Sequence, residues 1–511
     1  MNQLKNQTFG ILLFILTAGH FSCEPKEKPS DLATITIESI EIGPATAAGT
    51  RLKNGAAWQH PLPASIPLTF SNQVIGQTFS VTLSTTLPST FQLALGTFSY
   101  RSDSENSDFS EVLPITFQGE LNVNQTVIQT RLKATSDYQL ISFLKNNLRS
   151  VSLIDPAARP LFSNADFHFL YLNGNQSLKV EITPSEGKVF RLGWDGQSFN
   201  HSSFYFSKSG DSPPSSLSDS ELLFNRYEIP LLEDGSPALT PPFFRKSLSN
   251  SLAETSGLQW VGERLFSIND GGNSAEIQEI DPDTGGILRT IEVSNAQNID
   301  WEDLAASPTH LFIGDFGNNS GNRRDLRILK IALDELLNQN TVEAEFIEFS
   351  YSEQASFAEA NHRFDCEAMV FWGNQLHIFT KPTQAGESDH YILNTFTGTQ
   401  TPDFQQSFAT PGWITGADVT ADGRNLLLLG YENAGLGTRS FIMSYSGLTP
   451  GQFEPTIGQT RFLGSVSGLS QTEGIAILNR EKIKISGERI RLGGLEVPPR
   501  LSELDYTGIL D

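Results

Sequence analysis

Between residues 256 and 488 one local pattern recurs five times, and its spacing leaves the chain few folds to choose from. The core of the pattern is a three-residue element: Ser256-Gly-Leu, Glu302-Asp-Leu, Glu367-Ala-Met, Ala417-Asp-Val and Glu473-Gly-Ile. Nine residues after the first position of each of the first four, a second apolar run begins, at Leu265, Leu311, Leu376 and Leu426; in the fifth copy it begins one residue later, at Ile483. Copies start 46, 65, 50 and 56 residues apart. In the first copy two more strand-like runs follow, Glu276-Ile-Gln-Glu-Ile and Ile287-Leu-Arg-Thr-Ile-Glu-Val. They are joined by Asp281-Pro-Asp-Thr-Gly-Gly, a composition that signals a turn, with a calcium loop as the less favoured reading. A repeat of this length carrying several short strands cannot bury its apolar face alone, and stacking copies in a ring predicts a β-propeller. The last copy runs out after Leu501-Ser-Glu-Leu-Asp-Tyr, one strand short, and Pro242-Phe-Phe-Arg-Lys-Ser-Leu ahead of the first copy is placed to supply it. Five blades closed by an N-terminal strand are expected; six is the alternative, if the long second copy hides one more.

The N-terminal half has a different texture. Runs such as Thr34-Ile-Thr-Ile, Phe79-Ser-Val-Thr-Leu and Leu178-Lys-Val-Glu-Ile alternate polar and apolar between Ser, Asn, Pro and Gly turns. The fold class expected is therefore all-β, with an Ig-like β-sandwich region over residues 34–206. Leu140, Ile141, Phe143 and Leu144 predict one helix at 137–148. The Ser- and Pro-rich start of residues 207–236 reads as a linker or long loop, and the propeller is expected over 237–511.

Ahead of the sandwich, Lys5 and the apolar run at residues 9–17 predict a signal peptide over 1–22, the run being too short to span a bilayer. Ser22 and Cys23 fit a bacterial lipoprotein signal, with residues 23–33 as a polar tether and Cys23 carrying the lipid; His20 and Phe21 depart from the strict pattern. Cleavage near Ser22 with release of a soluble protein is the alternative. With Cys23 lipidated only Cys366 remains, so no internal disulfide forms. The expected location is the outer membrane of a bacterium, on its periplasmic or surface face, with the bilayer met through the lipid.

Composition excludes two further classes. With 58 acidic and 35 basic residues the net charge is −23, and no basic face is evident to meet nucleic acid. With 38% hydrophobic residues, 35 Phe among the chain, disorder is excluded as well.

Alternate residues of a strand share a face, so the first and third positions of each element point the same way. The third positions are apolar, and three of the first positions, Glu302, Glu367 and Glu473, are carboxylates, with Asp300, Asp365 and Asp418 beside such elements. Carboxylates converging on one channel mouth must protonate, pair or bind a cation, and an all-oxygen set suits Ca²⁺. The competing reading makes them strand caps that accept backbone amides of a neighbouring blade. No thiolate or imidazole-rich pattern points to zinc, the eight histidines being scattered. A second ring of polar groups ends the second strands: Asp270, Asp315, Lys381, Glu432 and Glu488. The loop after Asp315 adds Asn318 and Arg323, and Lys381, Arg323 and Arg324 are the cations suited to a phosphate or carboxylate, if they are not plain surface charges. Cys366, between Asp365 and Glu367, reads as a buried filler whose thiolate is disfavoured.

Several segments also look familiar. Glu254-Thr-Ser-Gly-Leu, Ile268-Asn-Asp-Gly-Gly, Asn298-Ile-Asp-Trp-Glu-Asp-Leu-Ala, Ile313-Gly-Asp-Phe-Gly-Asn-Asn-Ser-Gly-Asn-Arg and Phe364-Asp-Cys-Glu-Ala-Met resemble a group of secreted bacterial propellers of the Bacteroidetes type, distantly similar to phytase-like and gluconolactonase-like propellers. The resemblance spans about residues 250 to 490 and implies a propeller, export, and an ion at Glu302, Glu367 and Glu473. The clustered Lys and Arg of calcium-dependent phytases are not evident. Three functions follow as expectations. The first is a binding module for a glycan, phosphorylated small molecule or surface protein. The second is a metal-assisted esterase, phosphoesterase or lactonase with Glu302 as general base. The third is a structural surface protein.

Overall fold

A computed structural model describes residues 32–43, 56–72, 74, 76–103, 107–212, 217–492 and 494–510. The apolar run at 9–17, Cys23 and most of the tether lie outside the described residues. Strands dominate, and the helices are one or two turns, Leu333–Asn338 and Val466–Leu469 being the α-helical ones. Among the described residues no helix is long and apolar enough to cross a membrane.

The chain divides into two compact units. The first comprises the described residues up to Glu41, Ala64–Asp103 and Thr116–Ala134. It holds one seven-stranded sheet in the order Gln77–Ser84, Ser65–Asn72, Gly96–Ser102, Thr116–Val123, Val127–Thr135, Leu32–Gly43, Ser89–Ala94. Polar–apolar alternation turns Ile35 and Ile37, then Ile66, Leu68 and Phe70, and Phe98 and Tyr100 into its core.

The second unit comprises Ile42–Pro63, Ser104–Ile115 and the chain from Thr135 onward. It begins with two sheets. In one, Phe162–Ser163, Phe167–Asn173, Tyr138–Leu144, Asn200–Ser207 and Leu223–Pro230 lie side by side; the other orders Arg159–Pro160, Leu148–Asp155, Ser177–Pro184 and Phe190–Asp195. Two expectations are corrected here. Tyr138–Leu144, expected as helix, is a strand between an antiparallel neighbour, Phe167–Asn173, and a parallel one, Asn200–Ser207. Six of its seven residues are buried, so both faces are covered and its apolar run is near-continuous, which imitates helical spacing. The 207–236 segment, expected as a linker, contains strand Leu223–Pro230, parallel to Asn200–Ser207.

Five further sheets follow, each built on four antiparallel strands, and the first two add a short parallel strand at the outer edge. Their first strands are Thr255–Val261, Trp301–Ala306, Cys366–Trp372, Trp413–Val419 and Gln471–Asn479. Each packs on the next, and the fifth packs back on the first, so the sheets close a ring with these strands innermost. The fifth sheet is completed by Phe243–Ser247, which pairs antiparallel with Arg500–Leu504. The extra length of the second repeat is taken up by helix Leu333–Asn338, by Thr341–Val342, which joins the first sheet, and by the loop ahead of Cys366. The Asp281 turn forms as a turn, with the Asp281 carboxylate accepting the amides of Asp283 and Thr284 at 2.8 and 3.0 Å.

The two sheets ahead of the ring and the ring itself share one core, in which Ile141, Phe190 and Phe206 belong with Leu427, Ile475 and Tyr506. At the closing strand, Asp195 accepts Phe244 N at 2.7 Å and Arg245 Nε at 2.8 Å.

Candidate functional site

All five inner strands carry a β-bulge near their start, where pairing with the second strand slips by one residue. A bulge re-aims a side chain that regular alternation would leave on a sheet face. The bulged positions are Ser256, Glu302, Glu367, Thr415 and Glu473, and the fourth corrects the sequence register. Val419 pairs with Leu426 across six residues, where Phe371 pairs with Leu376 across four. The longer hairpin shifts the fourth element back by two, from Ala417-Asp-Val to Thr415-Gly-Ala. Two of the five positions tie neighbouring sheets together: Ser256 Oγ donates to Glu302 O, and Thr415 Oγ1 donates to Thr472 O at 2.9 Å. The other three are the glutamates, which gather at the mouth of the ring.

Asp270, at the end of the first sheet's second strand, and Asp300 join Glu302, and one carboxylate oxygen from each lies within 4.8 Å of the other two. Two glycines make this approach possible. A Cβ at Gly317 would stand 2.2 Å from Glu302 Oε1 and 2.6 Å from Asp300 Cγ, and one at Gly271 would stand 2.4 Å from Asp300 Oδ1. Asp270 accepts the Gly271 amide. Glu302 is 3% exposed, and among the described residues its carboxylate has no hydrogen-bond or ion-pair partner. Burial, then repulsion from Glu367 and Asp270, holds the Glu302 carboxyl well above its ordinary range. Burial, with Glu367 among the neighbours, raises Asp270 to about 7 and Asp300 to about 6.

Beside this trio Lys381 Nζ meets Glu367 Oε1 at 2.8 Å. Burial alone would lower the Lys381 ammonium, but Glu367, Glu473 and Glu302 raise it, so the cation is fixed. Gln471 Nε2 donates to Glu473 Oε1 at 2.7 Å and to Glu488 Oε1 at 2.6 Å. Burial raises both acids, Glu488 to about 8, with Asp270 adding to it. Asp365 accepts Asn318 N at 2.6 Å, and burial followed by Glu367 raises it. Neither Gly271, Gly317, Thr415 nor Gln471 stood out in the sequence; the two glycines lie in segments quoted above for other reasons.

Other singled-out residues have different work. Asp303 is fully buried and accepts Leu304 N and Met369 N at 2.8 Å and Ala417 N at 3.3 Å, linking three inner strands. Asp418 accepts Ile477 N at 2.6 Å and Val419 N at 2.8 Å, away from the trio, and burial raises it to about 7. Strand capping thus describes Asp303 and Asp418, and the glutamates do not share it. Asp315 pairs with Arg323 at 3.0 Å and Arg327 at 2.9 Å, and Arg323 also donates to Gly317 O at 2.9 Å. Asn318 accepts Arg323 N, and Glu432 pairs with Arg439 at 2.7 Å. Arg323 therefore props the loop under the trio instead of facing a ligand. Cys366 is buried, its thiol pushed up first by burial and then by Asp365 and Glu367.

A cavity of about 700 Å³ opens at the far ends of the inner strands, lined by Trp260, Ala306, Phe371, Val419 and Ile477 among others. Its carboxylates, Asp418 and Asp422, are already engaged by backbone amides and by Thr420.

A closed ring of meandering sheets around an acid-lined mouth makes this a β-propeller protein. No protein-family model matches the chain, and no curated protein matches it. Solved structures with similarity include a GH43 endo-arabinanase from Bacillus licheniformis, at 12% identity and TM-score 0.33 over 52% of this chain and 99% of that one. A PQQ-bound aldose sugar dehydrogenase from Streptomyces coelicolor matches at 14% and 0.30, over 52% and 99%. A β-propeller domain from Myceliophteria thermophila matches at 10% and 0.26, over 64% and 93%. Similarity at this level carries no argument about activity, and the architecture rests on sheet order and ring closure.

Proposed function

We propose that the chain is an exported, lipid-anchored envelope protein whose five-bladed propeller is a binding module, with a hard divalent cation held at the channel mouth by Asp270, Asp300 and Glu302. The cation rests on one observation: a buried, unpartnered Glu302 carboxylate facing two more carboxylates. Leaving such a charge uncompensated costs several kcal/mol, and a divalent ion removes that cost. Oxygens about 2.3–2.6 Å from a common Ca²⁺ stand at most about 5 Å apart, which suits the trio. Three carboxylates fill only part of the roughly six to eight positions of Ca²⁺, leaving the rest for water or a polar ligand such as a glycan or phosphorylated compound. Export and anchoring rest on Lys5, the apolar residues 9–17 and Cys23, together with the resemblance to secreted Bacteroidetes-type propellers.

The test is a thermal melt of the purified chain in EDTA and then in Ca²⁺, Mg²⁺ or Mn²⁺. An ion at about 100 times its dissociation constant stabilises by roughly 2.7 kcal/mol. That gain should vanish in Glu302→Gln and in Gly317→Ala, whose methyl group would displace the Glu302 carboxylate. No shift with any of the three ions would refute the cation. For the anchor, Cys23→Ala should abolish lipid labelling, and normal labelling of that variant would refute it.

A further inference from the structure

Away from the ring, in the sandwich of the second unit, distant parts of the sequence bring His60, Asp219 and Glu221 together. One ligand atom from each lies within 4.8 Å of the other two. His60 Nε2 is 2.9 Å from Asp219 Oδ1 and 4.0 Å from Glu221 Oε2. Two of the three are held from behind. His60 Nδ1 meets the Tyr171 hydroxyl at 2.8 Å, and that hydroxyl accepts Trp58 Nε1–H at 3.2 Å. The second Asp219 oxygen meets His201 Nδ1 at 2.9 Å, and His201 Nε2 meets Ser142 Oγ at 2.8 Å. Glu221 has a side chain 33% exposed and gives the group its opening to solvent.

Ser142, His201 and Asp219 are spaced like a nucleophile relay, but Ser142 and His201 are 0% exposed and no substrate carbonyl can reach them. What the relay does, together with the Glu221 and Leu222 amides that Asp219 Oδ1 accepts at 2.9 and 2.8 Å, is fix Asp219, as the Tyr171–Trp58 pair fixes His60. Ligands oriented by a second layer of hydrogen bonds are the mark of a metal site.

We propose that His60 Nε2, Asp219 Oδ1 and Glu221 Oε2 bind Zn²⁺, with water as the fourth ligand. Zinc bonds of about 2.0–2.2 Å in a tetrahedron place ligand atoms about 3.3 Å apart. The His60–Asp219 hydrogen bond then opens by a few tenths of an ångström, and the surface carboxylate of Glu221 swings inward by less than an ångström. On binding, the single imidazole proton sits on His60 Nδ1 facing the Tyr171 hydroxyl, which leaves the Nε2 lone pair for the metal. Imidazole with two carboxylates favours zinc here, in contrast to the oxygen-only mouth of the ring. The ion strengthens the junction of residues 56–63 with residues 217–222, where Ala56–Ala57 also pairs with Leu217–Ser218 and Trp58 N donates to Ser218 O at 2.7 Å.

The test is titration of the untagged full chain with Co²⁺, followed by its visible absorption and displacement by Zn²⁺. One equivalent should give the intense bands of a four-coordinate site. Affinity should drop at least tenfold in Glu221→Gln, a half-exposed position whose replacement leaves the buried network intact, and in His60→Gln. Glu302→Gln should leave the Co²⁺ signal unchanged, which separates this site from the ring. Absence of a stoichiometric signal, equal affinity in Glu221→Gln, or loss in Glu302→Gln would each overturn the proposal.

Discussion

His377 and His390 illustrate what one buried pair does to the pH response. Their rings stack, with Nδ1 of the first 2.9 Å from Nε2 of the second, and apolar groups including Phe379 and Phe453 surround them. One ring donates to the other across this contact, and among the described residues the outer nitrogens, His377 Nε2 and His390 Nδ1, have no hydrogen-bond partner. Burial lowers His377 from 6.5 to about 4 and His390 to about 3. The unfolded chain therefore binds protons first, so stability is complete above pH 6.5 and is lost as pH falls from 6.5 towards 4. Each of the two should account for a loss on the order of 3 kcal/mol over that window. Denaturant melts from pH 7 to pH 4 check this: replacing both residues by Phe should flatten the slope, and an unchanged slope would show that other groups set it. The sequence shows eight scattered histidines, and nothing in its linear order announces which two will stack.

At the level of strands and turns, the repeat was readable because each copy must place an apolar third position in the ring, and Leu258, Leu304, Met369 and Ile475 are fully buried there. The fourth copy was misread because a hairpin two residues longer preserves the apolar texture while moving the bulge, and Val419 is accordingly only half-buried. The convergence of the glutamates was legible, whereas Asp270 was read only as one of the polar groups ending the second strands and Asp300 only as a neighbour of Glu302, and the glycines that admit them carry no side chain to notice. The closing strand was anticipated from the missing edge of the last copy. Its docking depends on Gly193, where a Cβ would stand 1.8 Å from the Phe243 ring. Gly193→Ala should cost about 1–3 kcal/mol by overpacking. Adding Phe243→Ala should relieve part of that cost, so the two substitutions should be non-additive in urea melts; strict additivity would mean that the closing strand is held elsewhere.

For the whole chain, the boundary between sandwich and ring was the least legible feature, because alternation in a strand marks which face is buried and not what buries it. The sandwich strand Phe190–Asp195 touches both the closing strand and the C-terminal tail: Arg191 N donates to Thr507 O at 3.3 Å, and a Cβ at Gly508 would strike Val189 O at 1.9 Å. Lys179 adds an ion pair to Glu503 at 3.1 Å. A chain beginning at residue 237 keeps every strand of the ring but loses this support, and it should elute as aggregate and lack near-UV circular dichroism. A monomeric, cooperatively melting product would show the ring to be autonomous. The bulge-level contacts have one more effect. Gly257, Gly416 and Gly474 let neighbouring inner strands close to within a backbone's width, and the Asp303 carboxylate spans what is left between three of them. One buried carboxylate is thus the shared acceptor for amides of three inner strands, and its removal would loosen the ring at the point where those strands come nearest.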